Sequence, residues 1–158
     1  SNLYKELDLN TLRYQLAFEA SWYLPLFSQS TLKLAVDSRL IAGKGENFRN
    51  EQFRIGGNRL LRGFDEESLF ASRYLVFTLE YRLLIDKNAY LAAFGDWAKI
   101  TDDSTLGYSV DYPLGLGAGI SFQTSAGRFQ LNLAYGKIGT ANWDLSNPRI
   151  HFGYVSLF

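Results

Sequence analysis

The chain has no cysteine and no methionine, a single histidine (His151) and three prolines among 158 residues. Without a thiol there is no disulfide scaffold, no thiol catalysis and no Cys-based zinc or iron–sulfur site. One histidine excludes a multi-histidine metal site within the chain. An excess of charge is missing too: 16 Lys/Arg balance 16 Asp/Glu, which argues against a nucleic-acid binder that works by bulk charge. No apolar run approaches the ~20 residues of a spanning helix, and the opening Ser1-Asn2-Leu3-Tyr4-Lys5-Glu6 has no signal-peptide core. A chain that begins at Ser1 is expected to be a processed or trimmed product. What is present is 47% apolar, 16% aromatic and 20% charged residues, the composition of an ordered chain. None of these absences bears on a membrane-crossing strand, which needs only ~10 residues and one apolar face.

The strongest pattern has period two. Leu12, Tyr14, Leu16, Phe18, Ala20 and Trp22 share one face, and Thr11, Arg13, Gln15, Ala17, Glu19 and Ser21 the other. A helix cannot produce that alternation. It returns in Leu32, Leu34, Val36 and Leu40 against Thr31, Lys33, Asp37 and Arg39, and in Leu75, Phe77, Leu79, Tyr81, Leu83 and Ile85 against Thr78, Glu80 and Arg82. Phe129, Leu131, Leu133 and Tyr135 oppose Arg128, Gln130 and Asn132, and Ile150, Phe152, Tyr154 and Phe158 share a face. Strands near 90–100 and 114–122 alternate less cleanly. The reading is all-β with seven strands. An eighth is open at residues 2–9, whose alternation is out of phase with that from Leu12 onward, as a bulge or turn would make it.

Connections alternate short and long. The short ones lie near 25–29, 86–88 and 124–126; the long ones are 43–71, 101–113 and 137–148. In an up-and-down antiparallel meander this puts every tight turn at one end and every long loop at the other. Outer-membrane barrels have that asymmetry. Charges of both signs at mid-strand (Arg13, Glu19, Lys33, Asp37, Glu80, Arg82) suit a watery lumen behind a lipid-facing band. They equally suit a soluble lipocalin-like binding barrel with its apolar face inside. Alternation alone leaves both open.

Loop 43–71 is far longer than a hairpin connection, and loops of that length are functional or disordered. It contains Phe53-Arg54-Ile55-Gly56-Gly57-Asn58-Arg59-Leu60-Leu61-Arg62-Gly63-Phe64. This resembles the inward-folded loop of the BamA/TamA-type outer-membrane assembly-factor superfamily, the surface-antigen family that includes two-partner secretion pores. The shared pattern is an aromatic (Phe53), a Gly pair (Gly56, Gly57) and an aliphatic-Arg-Gly-aromatic tetrapeptide (Leu61, Arg62, Gly63, Phe64). The resemblance implies that Arg62 reaches into a lumen and pairs with acids on the next two strands, here Glu80 and Asp96. It also implies five strands after the loop, which is the number read here. An Arg fork can join a loop to two strands at once.

The family's terminal strand signal is a polar residue, a Gly two later and a final aromatic, matched by His151, Gly153 and Phe158; Ser156 departs from it. Gly115, Gly117 and Gly119 alternate on one strand face, clearing room most simply for the inserted loop. Their spacing is not that of a phosphate cradle. No nucleophile elbow or metal-ligand cluster is present, so no enzyme, metal or cofactor is expected.

The resemblance implies the C-terminal part of a transmembrane barrel spanning 1–158, without periplasmic substrate-handling domains, in the bacterial outer membrane as a multi-pass barrel. Eight strands enclose an interior that side chains alone fill, so a loop of this length needs a wider barrel, completed by a second chain or second copy. Expected partners are outer-membrane lipids, nascent outer-membrane proteins and other assembly-complex subunits, with no nucleic acid. The implied function is insertion of outer-membrane proteins or translocation of a substrate. A structural barrel subunit without insertase activity is the rival.

Overall fold

The computed structural model describes residues 13–43 and 49–156. Residues 2–9, the open eighth strand, and Phe158 of the terminal signal lie outside them. Among the described residues ten strands form: β1 (Arg13–Phe27) and β2 (Ser30–Gly43) before the long loop; within it a short hairpin of β3 (Phe53–Ile55) and β4 (Leu69–Ala71); then β5 (Arg73–Asp86), β6 (Ala89–Ser104), β7 (Gly107–Asp111), β8 (Pro113–Gln123), β9 (Gly127–Ile138) and β10 (Arg149–Ser156). The main sheet is antiparallel throughout, in the order β1-β2-β5-β6-β8-β9-β10. β7 also pairs with β6, beyond the end of β8, so the two behave as one strand interrupted at Tyr112. Counted that way, five strands follow the loop.

The connection 101–113, read from sequence as an open loop, is a correction. Thr101–Ser104 pair with Gly107–Val110, so most of it prolongs the β6 hairpin. Thr101–Ser104 are polar on both faces, and the alternation of Tyr108 and Val110 against Ser109 and Asp111 is too short to register as a strand. The short turns fall at Ser28-Gln29, Lys87-Asn88 and 124–126, all at one end.

The two faces settle the orientation of the sheet. On β5 the apolar row Phe77, Leu79, Tyr81 and Leu83 is exposed, Leu79 at 52%, while Glu80 on the opposite face is 2% exposed. The same holds on β10, where Ile150 is 71% exposed and its neighbour His151 is buried. A soluble barrel would bury the apolar rows; this one presents them outward, as a lipid-facing band requires. The outward row Leu75–Ile85 of β5 matches the ~9–11 residues a tilted strand needs to cross. The fold is therefore an antiparallel, up-and-down transmembrane β-barrel portion with a long loop packed against its inner face. Among the described residues β1 pairs only with β2 and β10 only with β9, so the sheet is open at both edges. None of the helical structure among these residues is long and apolar enough to cross a membrane.

The inner face changes character along its length. Toward the long loops it carries Tyr74, Val76, Ala98 and Ile100, which form a small core with Ile55, Leu61 and Ala71 of the loop segment, flanked by Phe53, Leu60, Phe64 and Leu69. Toward the turns it becomes polar.

Candidate functional site: a loop clamped to the inner wall

The loop is shaped from its own residues first. Gly56 and Gly57 both have φ near +110° (+111° and +112°), a region that side chains other than hydrogen rarely adopt. A Cβ on Gly56 would meet the Asp65 carbonyl, and one on Gly57 would overlap the Glu66 carboxylate. That carboxylate accepts the Asn58 N–H at 2.7 Å, so the Gly pair folds the two arms of the loop onto each other. Leu61, fully buried, sits at φ +61°. This backbone conformation costs a non-glycine residue energy, and burial of Leu61 in the small core offsets it. The result aims Arg62 at the wall.

Arg62 there meets both acids named from the sequence. Its Nε and Nη2 donate to the two carboxylate oxygens of Asp96, each at 2.8 Å, and Nη1 donates to Glu80 at 2.5 Å. The Arg62 backbone N–H adds a third donor to Asp96 at 2.9 Å, and Thr78 supplies a hydroxyl at 2.9 Å. The second oxygen of Glu80 accepts from Arg82 at 2.6 Å. The guanidinium lies 3.5 Å from the centre of the Phe94 ring. All three charged side chains are buried, at 7%, 2% and 1% exposure for Arg62, Glu80 and Asp96. Burying charge is costly unless it is paired and hydrogen-bonded, and here nearly every lone pair has a donor.

Glycines make the approach possible. A Cβ on Gly115 of β8 would overlap the Arg62 carbonyl oxygen, and one on Gly136 of β9 would overlap the Gly63 carbonyl. Gly63 itself, at φ +99°, rests on the Tyr135 carbonyl. The strand glycines singled out in the sequence thus divide: Gly115 clears the loop backbone, whereas Gly117 and Gly119 lie against Leu133 and Asn132 of β9. Phe53 packs edge-on against Tyr74, ring centres 5.7 Å apart, and Phe64 closes over Gly136.

The sequence reading missed how β10 meets the loop. His151 Nε2 accepts the Gly63 N–H at 3.1 Å, which places the ring proton on Nδ1, 3.9 Å from Glu66. Arg149 pairs with Asp65 at 2.8 Å. Gly153 lies where a Cβ would overlap the Asn58 amide, and Asn58 accepts from Asn132 of β9 at 2.7 Å. Three successive inward residues of the last strand, 149, 151 and 153, thus contact the loop. Gly136 was the one signal available in sequence, a further glycine on the face that the loop covers. The loop touches β5, β6, β8, β9 and β10, and Glu51 at its start pairs with Arg13 of β1. Beside it a polar cavity of about 550 Å³ opens, lined by Lys33, Arg59, Arg82, Tyr90 and Arg128 among others. No cluster of three metal-ligating side chains occurs among the described residues.

The arrangement fastens a loop inside a barrel wall. A search of curated proteins returns no match. The Omp85 superfamily domain, in contrast, matches residues 7–156, covering the loop, both acids and every strand of the main sheet. The chain belongs to the Omp85 superfamily, whose members are outer-membrane β-barrels of protein assembly and secretion.

Proposed function

We propose that the chain is the C-terminal part of a bacterial outer-membrane barrel that inserts β-barrel proteins into that membrane or passes a substrate across it, without bond chemistry. The Omp85 match over residues 7–156 supports the proposal, and the edge of β10 suits it. An exposed edge presents unpaired N–H and C=O groups that recruit another strand. In this reading the missing wall comes from further barrel strands, supplied by the same polypeptide, a second copy or another chain. Nascent outer-membrane proteins would pair transiently at the seam, and other assembly subunits would deliver them.

Arg62, Glu80 and Asp96 then have a mechanical role. A seam that opens needs the remaining wall to keep its shape, and the clamped loop stiffens that wall from within. His151 and Gly153 extend the support to β10, the strand at the seam. The terminal signal His151, Gly153 and Phe158 would serve earlier, when the chain itself is recognised and assembled.

The test is Arg62→Ala in the full-length protein. Steady-state levels of outer-membrane proteins are expected to fall while the variant still fractionates with the outer membrane. Unchanged levels with a folded variant would mean a structural subunit and would overturn the proposal.

A further inference from the structure

The outward face of β5 and β6 has a sequence of its own. Cross-strand partners run Leu79 with Gly95, Phe77 with Trp97, Leu75 with Lys99 and Arg73 with Thr101, moving toward the long-loop end. Phe77 and Trp97 stack, centres 5.7 Å apart and 17° from parallel. The surface therefore passes from aliphatic to aromatic to cationic within a few rungs. That is the order of a hydrocarbon core, its interface and a headgroup layer.

Arg73 and Lys99 are diagonal neighbours on this face, a relation that brings side chains within about 7–8 Å. Both are exposed. Among the described residues neither forms an ion pair with a carboxylate. Lys99 instead has its ammonium 6.0 Å from the centre of the Tyr112 ring. Between these residues lies a concavity of about 270 Å³, with Leu40 and Leu75 as apolar floor and Ser38, Arg73, Lys99 and Tyr108 around it. Two neighbouring like charges repel. An anion between them removes that cost.

We propose that this concavity binds the phosphorylated headgroup of a glycolipid in the outer leaflet of the membrane. The Arg73 fork suits a phosphate, Lys99 adds a point charge, and Tyr108 lines the concavity beside them. A lipid, rather than a free anion, is the occupant because the site is continuous with the apolar band: acyl chains leaving it run along Leu75, Phe77 and Trp97. The leaflet follows from the loops, since long connections face the exterior in such barrels. Toward the turns the same face offers Leu83 opposite Leu91 and no matching pair of cations. The inference rests on the proposed outer-membrane location.

The test is native mass spectrometry of the full-length protein in detergent, titrated with lipid A, a diphosphorylated glycolipid, and with the same lipid after phosphatase treatment. Wild type is expected to retain lipid A roughly tenfold more strongly than Arg73→Gln/Lys99→Gln, as losing charge-assisted hydrogen bonds implies. The dephosphorylated lipid should not distinguish the two proteins. Heat-modifiable electrophoretic mobility checks that the variant is folded, and Arg73→Gln alone serves if the pair is not. Equal retention of lipid A by wild type and variant would overturn the proposal. So would inorganic phosphate displacing the lipid at equal concentration, which would mark a free-anion site. Fractionation separates the two levels: wild type absent from the outer membrane defeats the underlying reading, whereas correct location with equal lipid retention defeats the lipid site alone.

Discussion

The inner face holds two triads of the same composition, each one arginine between a glutamate and an aspartate. On the β1–β2 side Arg39 lies 2.7 Å from Glu19 and 4.0 Å from Asp37, with Arg39 and Glu19 side chains 36% and 52% exposed. On the β5–β6 side Arg62 joins Glu80 and Asp96 at 7%, 2% and 1%. The difference lies in who supplies the arginine. Arg39 sits on β2 and links strands already joined by a full ladder of backbone bonds. Arg62 comes from the loop and ties it to β5 and β6. An exposed pair contributes ~0–1 kcal/mol, whereas breaking a buried one costs ~3–5 kcal/mol. Identical charges thus do unlike things on the two halves of one sheet. Arg62→Ala, which leaves buried Asp96 without a cation and Glu80 with Arg82 alone, sets the upper end of the scale.

The next largest effect should come from Gly115→Ala, because it attacks the loop's seat without touching a charge. Its methyl would occupy the space of the Arg62 carbonyl oxygen, and backbone cannot yield as a side chain end can. The loop would have to lift, at ~1–3 kcal/mol, leaving the buried triad as exposed as the triad of β1 and β2. Protease cleavage within 49–71 and a lower midpoint for heat-modifiable mobility are the expected readouts. A loop as protected as in wild type would show that the covered half does not depend on close approach.

His151 tests whether the cover extends to the last strand. His151→Phe keeps the ring volume but leaves the Gly63 N–H, buried here, without its acceptor, at ~1–3 kcal/mol. His151→Gln offers an amide oxygen instead and should recover part of the loss. The measurement is hydrogen exchange at Gly63 and along β10. If exchange is unchanged in His151→Phe, β10 does not depend energetically on the loop.

Much of this architecture is legible in the sequence. Period-two alternation locates the strands because each crosses between a lipid face and a water face, and the spacing from Phe53 to Phe64 locates the loop. Asp96 is harder. Its strand alternates strictly in space, but its inward residues include Ala92, Phe94, Ala98 and Ile100, all buried and apolar. A wall covered by a loop core stops looking like the wall of a wet lumen. The His151 contact joins residues 88 positions apart, and no local pattern encodes it. The β6–β7 hairpin is invisible for the opposite reason. Beyond the bilayer neither face needs to be apolar, so Thr101, Asp102, Asp103 and Ser104 carry no strand signature.

The smallest effect should be Arg39→Ala, and its smallness is what the comparison requires. Its partners Glu19 and Asp37 keep access to water, Asp37 retains the Tyr74 hydroxyl at 2.9 Å, and the β1–β2 ladder is untouched. A loss under ~1 kcal/mol is expected, shrinking further as salt screens the exposed pair. Arg62→Ala should be nearly insensitive to the same salt, since its carboxylates are shielded from ions by the loop. Urea-dependent loss of heat-modifiable mobility at low and high ionic strength measures both. If Arg39→Ala costs as much as Arg62→Ala, the Arg39 triad is more deeply buried in the assembled barrel than in this sheet. The strands that complete the wall would then bury Arg39 as the loop buries Arg62.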